Sequence, residues 1–428
     1  MRGPGEVLVV SCYELGRQPV AVAGAMAALE QAGFHPAAHD VSVEKLPAEA
    51  VRKARLVAIS VPMHTALQLG VRVAARVREE NPAARIAFYG IYAALNAEHL
   101  LERHCDVVLG ESTDDIVAVA RGEQPAGGLP RARNATVPSR AALPVLERYA
   151  KLEVCGGETR VVGAVAASQG CKHLCKHCPI VPVYGGRFVA VPLETVLADV
   201  EQQIAAGAQH VNFTDPDFLN GPTHALRIAR ELARRWPHVT FDATIKIEHL
   251  LQHRALLPEL VACGLLFVTS AVESLNDRVL RALDKGHLSA DVPEALRLVR
   301  AAGAELRPTL LPYTPWTELS DIPALFEFAV EHDLVEAIDP VQYTLRLLLP
   351  PGSLLLEGAG PWLRSFDSRA FTWTWEHQDP RVDALWKRSA EAARNGAGFD
   401  ELHALVSSNP RRPRARRSVP RLTEPWFC

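Results

Sequence analysis

Residues 160–178 read RVVGAVAASQGCKHLCKHC. A short, branched apolar run is followed at once by Cys171, Cys175 and Cys178, three cysteines within eight residues of a chain that holds eight in all. The run has the length and composition of a strand buried on both faces. Similar runs recur downstream as HVNFTD (210–215), VTFDATI (239–245), LLFVTSAVES (265–274), AELRPTLLPY (304–313) and AIDPVQYTLRL (337–347). Between them lie amphipathic helical stretches such as PLETVLADVEQQIAAGA (192–208) and GPTHALRIARELARRW (221–236). Alternating strands and helices specify parallel βα units. Six such units over about 190 residues are too few to close an eightfold barrel, so the expected fold is a partial, open (β/α)6 barrel. Active sites of parallel barrels lie at the C-terminal ends of the strands. The cysteines follow the first strand and belong at that mouth.

Upstream, EVLVVS (6–11), RLVAISV (55–61), RIAFYG (85–90) and DVVLG (106–110) read as buried parallel strands. Helical patterns separate them, one closed by Gly33 and another by Pro82. This is a doubly wound α/β domain of the flavodoxin-like kind. The expected organisation is an N-terminal domain at 1–121, a Pro-, Gly- and Arg-rich linker at 122–158, a core at 159–350 and a C-terminal extension at 351–428. No fold is assigned to the extension, which is first Trp-rich and then Arg-rich. Its tryptophans are expected to pack a helix.

The chain has 428 residues, 48% of them hydrophobic, and a net charge of −3. No run is apolar enough for a membrane span, and the charge predicts no bulk affinity for nucleic acid. Cysteines are too few for a secreted disulfide framework, so the expected compartment is the reducing cytoplasm. Cys12, Cys105, Cys155 and Cys263 are expected to be buried as small hydrophobes.

Three thiolates suit a cubane [4Fe–4S] cluster that leaves one iron without a protein ligand. That iron can chelate the amine and carboxylate of S-adenosylmethionine (SAM), a cofactor for radical chemistry. The competing reading is a zinc site completed by His173 or His177. Zinc ordinarily draws on two separated ligand pairs, and no second pair lies nearby in the sequence.

The Cys-x3-Cys-x2-Cys pattern after the first strand of a partial barrel resembles the radical SAM superfamily, over roughly residues 160–350. The resemblance implies an enzyme that cleaves SAM reductively to methionine and a 5′-deoxyadenosyl radical. It implies Cys171, Cys175 and Cys178 as cluster ligands, with flavodoxin or ferredoxin as reductant and a small molecule as substrate. FTDPDFLN (213–220) resembles the second-strand segment of family members that carry cobalamin-type domains, and SAVESLNDRVLRALDKGH (270–287) resembles their ribose motif. By that resemblance Asp215 and Asp217 border the SAM site, and Ser270 and Glu273 meet its ribose or amino group. Lys246 and Arg307 are expected to end strands at the same mouth and to neutralise a carboxylate. The plainer readings are a turn or cap for Asp215 and ordinary ion pairs for Lys246 and Arg307.

The first domain resembles the cobalamin-binding domain found ahead of many radical SAM cores, through ARLVAISVPMHTALQLG (54–70), IAFYGIYAALNAEHLL (86–101) and DVVLGES (106–112). Its carboxyl edge carries Ser11, Cys12, Ser60, Pro62, Gly90, Tyr92, Gly110 and Glu111. The family's Asp-x-His-x-x-Gly signature is replaced by SCYELG (11–16), which keeps Gly16 and lacks the histidine. Bound cobalamin and a mere scaffold over the barrel mouth both remain open. Methyl transfer and aminocarboxypropyl transfer to a thiophilic atom such as arsenic are the alkylations the family offers. A non-catalytic iron–sulfur redox or iron sensor is the reading from another class.

The end of the chain, RLTEPWFC (421–428), resembles the radical SAM group with Cys-Sec-Ala-Glu-Pro or Cys-Cys-Ala-Glu-Pro tails. In that group a further cysteine or selenocysteine follows the position of Cys428. The resemblance implies a selenoprotein whose reading has stopped at a UGA codon.

Overall fold

A computed structural model describes residues 1–132, 135–411 and 417–424. Cys428, on which the selenocysteine expectation falls, lies outside the described residues. Among those residues, β1 (Val7–Ser11), β2 (Ala37–Asp40), β3 (Leu56–Ser60), β4 (Arg85–Tyr89) and β5 (Val107–Val108) form a parallel sheet in the order β2-β1-β3-β4-β5. That is the flavodoxin-like order, with its crevice where the order reverses. Strands β1 and β3 are buried at every residue, as the unbroken apolar runs require. Strand β2, AAHD, has no such run and was not legible in advance. Helices Val20–Gln31 and His64–Glu80 cover opposite faces, packing into separate apolar clusters.

The second sheet follows. Its strands are β6 (Lys151–Glu153), β7 (Thr159–Val165), β10 (His210–Phe213), β11 (Thr240–Thr244), β12 (Leu265–Glu273) and β13 (Glu305–Leu310). A short ribbon, β8 (Ser168–Gly170) with β9 (Phe188–Ala190), rises from the end of β7. Strand order is β13-β12-β11-β10-β7-β6, with neighbours parallel from β7 to β13. Helices such as Leu193–Ala205, Pro222–Arg235 and Asp291–Ala302 pack their apolar faces on this curled, open half-barrel.

The sixth expected strand, at 337–347, does not form. Residues Pro340–Thr344 make a 3₁₀ turn, and only a single bridge, Tyr313 to Arg346, continues the sheet. Pro340 supplies no ladder N–H, and its ring fixes φ for a helical turn.

The C-terminal extension builds a hairpin, β14 (Leu363–Asp367) with β15 (Thr372–Trp375), and helices Pro380–Arg394 and Phe399–Val406. Its tryptophans do pack. The Arg346 guanidinium lies between Trp375 and Trp386, 3.7 and 4.5 Å from their ring centres. A final strand, β16 (Arg421–Leu422), pairs antiparallel with β6 and extends the half-barrel sheet.

The stretch expected as a linker is pinned at one residue. Arg140 forms a buried bidentate pair with Asp199 at 2.7 and 2.8 Å and donates to the Ala164 carbonyl at 2.6 Å and to Gln18 at 3.0 Å. One guanidinium thus ties the first domain, strand β7 and helix Leu193–Ala205 together. Cys12 and Cys105 are buried as expected, but Cys263 is only half-buried, and Cys155 is exposed, its thiol meeting the Ser418 carbonyl at 3.2 Å. No helix among the described residues is long and apolar enough to cross a membrane.

Candidate active site at the barrel mouth

The loop carrying Cys171, Cys175 and Cys178 is launched from the ribbon β8/β9 at the C-terminal end of β7, with helix Ile180–Tyr184 closing it. Gly170 makes the launch feasible. Its φ is +77°, and a Cβ there would stand 2.2 Å from the Tyr184 ring and 2.5 Å from the Arg187 carbonyl. Cys171 Sγ reaches Asn220 Oδ1 at 3.6 Å, and Lys246 Nζ stands 3.7 Å from Cys175 Sγ. Burial raises the Cys171 thiol and pushes that of Cys178 up to about 12. Thiolates there need a strong positive partner.

The spacing of the thiols tests what that partner can be. Four donors around one zinc ion put sulfurs about 3.8 Å apart. Among the described residues, the trio with all donor atoms within 4.8 Å of one another is His173, Asp217 and His249, not the cysteines. The three thiols do not all lie within that distance of one another, a looser arrangement than one zinc ion holds.

Beside the cysteines, Glu273 ends β12 at a register shift with φ of +64°, a sparsely populated conformation for a residue with a side chain. Its Oε1 accepts from Lys285 Nζ at 3.1 Å and meets His177 Nε2 at 3.2 Å. Burial opposes ionisation of Glu273, but Lys285 and His177 outweigh it and hold the carboxyl well below its usual range. Burial likewise opposes the Lys285 ammonium, but Glu273 and the Cys175 and Cys178 thiols hold it above its ordinary value. Lys285 was missed in the sequence although it lies inside the quoted 270–287 segment. The available signal was a lone lysine followed by Gly286, whose φ is +75° and where a Cβ would meet Glu248 Oε2 at 2.4 Å.

The other expected residues divide. Lys246 lies at the mouth, 8% exposed, bonded to Glu248 at 3.1 Å. Asp217 is also there, fully buried, its Oδ1 capping Leu219 N at 3.0 Å. Asp215 is taken up by the backbone of the β7 exit: it accepts from Ala167 N at 2.9 Å and from Ser168 Oγ, and burial pushes it up to about 7. This is the turn role that its position before Pro216 allowed. Ser270 is fully buried and donates to the Ile245 carbonyl at 2.6 Å, tying β12 to the end of β11.

Arg307 is not at the mouth. It is the third residue of β13, with Leu310 as the last. It points into the lower barrel, where it pairs with Asp339 at 3.0 Å, donates to the Pro420 carbonyl at 3.1 Å and lies over the Phe267 ring. Arg307 lies three residues before the end of β13, whereas Lys246 lies two residues beyond the end of β11.

At the first domain, Ser11, Ser60, Gly90 and Glu111 do fall at the carboxyl edge of the sheet. Burial pushes Glu14 and Glu111 up to about 7, and Glu14 Oε2 is buried without a hydrogen-bond partner. Glu111 accepts from Tyr184 OH at 3.0 Å, which joins this edge to the helix after the cysteine loop. Glu424 covers Gly16 and accepts from Tyr13 OH at 2.6 Å.

A half-barrel with a thiol-bearing loop at its mouth, preceded by a flavodoxin-like sheet, defines the class. Residues 165–326 match the Radical SAM superfamily, so this part of the chain is a radical SAM domain. That family implies a [4Fe–4S] cluster and SAM.

The chain is 25% identical over 248 residues to tRNA-2-methylthio-N(6)-dimethylallyladenosine synthase of Mannheimia succiniciproducens, covering 53% of this chain and 48% of that protein. It thus spans about half the length of the curated relatives it matches. Its fold is similar to that of the radical SAM methyltransferase TsrM from Kitasatospora setae, with tryptophan and a SAM analogue bound. There the TM-score is 0.69 at 17% identity, over 94% of this chain and 89% of that one. The cobalamin-dependent radical SAM enzyme OxsB, with aqua-cobalamin and SAM bound, gives a TM-score of 0.68 at 12% identity, over 89% of this chain and 65% of that one.

Proposed function

We propose that Cys171, Cys175 and Cys178 hold a [4Fe–4S] cluster at which SAM is cleaved reductively, and that the enzyme alkylates a small-molecule substrate. When bound, the cluster supplies the electron that breaks a carbon–sulfur bond of SAM. The observation that carries this reading is the loop itself: three cysteines on one loop at the barrel mouth, their thiols not all within 4.8 Å of one another, beside the Glu273–Lys285 pair.

The protein's own groups have separable tasks. Asn220 and Lys246 hold the loop through Cys171 and Cys175. The ionised Glu273 accepts from the amino group or a ribose hydroxyl of SAM. Lys285 keeps that carboxylate charged while offsetting nearby thiolate charge. Asp217 and Lys246 border the same space. Ser270 and Asp215 act behind it, by fixing strand ends. An electron donor of the flavodoxin or ferredoxin type and a reducing cytoplasm complete the proposal. The seven described cysteines, all unpaired, support that compartment.

For the reaction subtype, the first reading is cobalamin-assisted methyl transfer. The polar carboxyl edge of the N-terminal sheet and the orphaned Glu14 Oε2 would suit a polar ligand held there. A second reading, aminocarboxypropyl transfer to a soft atom, is favoured by Glu424, which closes the Gly16 side of that edge.

Anaerobic reconstitution with SAM and dithionite tests both, with and without cobalamin. Methyl transfer releases S-adenosylhomocysteine and requires cobalamin. Aminocarboxypropyl transfer releases methylthioadenosine without it. Hydrogen abstraction releases 5′-deoxyadenosine. Because the curated relatives modify tRNA, a tRNA arm belongs in the assay. SAM binding with no reductant-dependent cleavage would show a sensor and refute the enzyme reading.

A further inference from the structure

Asp217, His249 and His173 come from three separate segments: the turn after β10, the helix Ile247–Gln252 after β11, and the cysteine loop. One donor atom from each lies within 4.8 Å of the other two. Asp217 and His249 are both fully buried, and the His173 side chain is 15% exposed. Burying two imidazoles against a carboxylate needs a reason, because unpaired polar groups in the interior are costly.

The hydrogen bonds supply it only in part: His249 Nε2 meets His173 Nε2, but the side of the ring that faces Asp217 is unpartnered. His249 Nδ1 and Asp217 Oδ2 approach to 2.8 Å, yet both are buried atoms with no hydrogen-bond partner. The distance fits a bond; the direction does not. An N–H aimed at the carboxylate would make a proton relay, Asp217 to His249 to His173. Here the ring nitrogen points beside the oxygen. Donors that crowd together while aiming past one another are the arrangement a metal ion leaves, since each lone pair is directed at the ion. Asp217 Oδ1 is already engaged with Leu219 N, which turns Oδ2 inward. His173 Nε2 lies 3.9 Å from Asp217 Oδ2 and 3.1 Å from His249 Nε2. Donors bound tetrahedrally at about 2.0–2.1 Å stand about 3.3 Å apart. The two spacings to Asp217 Oδ2, 2.8 Å from His249 Nδ1 and 3.9 Å from His173 Nε2, bracket that value, and the 3.1 Å contact between the rings is made by the other nitrogen of His249, Nε2.

We propose that His173, Asp217 and His249 bind one divalent transition-metal ion, zinc or ferrous iron, separate from the iron–sulfur cluster. Two imidazoles and one carboxylate are a donor set that both ions accept, and three protein ligands leave a coordination position open. His253 lies four residues after His249, its ring 5.4 Å from that of His249, with Nε2 buried and unpartnered at the edge of the site. Glu248 Oε2, 3.5 Å from His173 Nδ1, is placed to orient that ring and offsets the nearby Lys246 charge. The ion cross-links the cysteine loop to the ends of β10 and β11.

The test separates this ion from the cluster. The full-length Cys171→Ala/Cys175→Ala/Cys178→Ala protein is equilibrated with Zn²⁺, or anaerobically with Fe²⁺, desalted and analysed for metal. One retained equivalent of either ion is expected, the better-retained ion identifying the occupant. With Co²⁺ the same protein is expected to show ligand-field bands of nitrogen and oxygen coordination without thiolate charge transfer. Asp217→Asn keeps the Leu219 cap and removes the anionic donor, and His249→Gln removes an imidazole. Each is expected to weaken Zn²⁺ binding at least tenfold, with the far-ultraviolet circular dichroism unchanged. Retention of no metal by the folded triple-cysteine protein overturns the proposal and leaves the cluster assignment standing. Wild-type affinity in Asp217→Asn and His249→Gln overturns it equally.

Discussion

Replacing Arg140 by Met tests how the two α/β units are held together. The side chains of Arg140 and Asp199 are 7% and 3% exposed, and the pair is bidentate. Removing the guanidinium strands the Asp199 carboxylate in a dry site and leaves the Ala164 carbonyl short of a donor. Breaking a buried pair from one side costs about 3–5 kcal/mol. The unsatisfied carbonyl accounts for about 1–3 kcal/mol and is not simply additive with it. We expect Arg140→Met to lose about 4 kcal/mol in the urea transition that reports the half-barrel. Replacing both partners, Arg140→Met with Asp199→Leu, removes the stranded charge and is expected to recover at least half of that loss. Urea titrations of the four proteins, followed by tryptophan fluorescence and circular dichroism, supply the cycle. A single mutant within about 0.5 kcal/mol of the wild type, or a double mutant as unstable as the sum of the singles, would refute the buried-clamp reasoning.

Gly170→Ala must move the Tyr184 ring or the Arg187 carbonyl, so iron and sulfide retained after anaerobic reconstitution should fall by more than half while the N-terminal domain stays folded. Glu273→Gln removes the charged acceptor beside Lys285. A hydrogen bond to a charged group is worth about 1.5–3 kcal/mol, so SAM should bind about 10- to 100-fold more weakly to the reconstituted protein by calorimetry. Glu111 is raised to about 7 by burial, with the Tyr184 hydroxyl opposing. A raised carboxyl takes up a proton in the folded state before it does in the unfolded chain, so its contribution is present below its ordinary value of 4.5 and is lost as pH rises towards 7. Glu111→Gln should flatten the fall in stability across that window, and an unchanged slope in pH-dependent urea midpoints would count against a buried, protonated Glu111.

Local chemistry made much of this protein legible from its sequence. The runs EVLVVS, RLVAISV, RIAFYG and LLFVTSAVES read as buried strands because they are short and mostly apolar, with branched residues throughout. The cysteine spacing is likewise local, and so is its place after the first strand of the half-barrel. Where a run was mixed, the reading failed: AAHD is a strand only because β1 supplies its ladder, and residues 337–347 lost theirs to Pro340.

What lay beyond the sequence was decided by contacts between distant residues. Arg307 and Lys246 both belong to the barrel, yet the point at which each strand ends keeps one inside the barrel and puts the other at the mouth. Lys285 became the partner of Glu273 only when the chain after β12 turned back at Gly286. Arg140 looked like one more arginine in a linker until Asp199, 59 residues away, was brought against it. His173, Asp217 and His249 span 76 residues and share no motif; their convergence is a property of three loop ends meeting at one edge of a sheet. Periodicity and spacing reveal which residues a segment can bury or ligate with, because those depend on neighbours along the chain. Which groups face one another depends on register, strand length and curl, and those exist only once the sheet has formed.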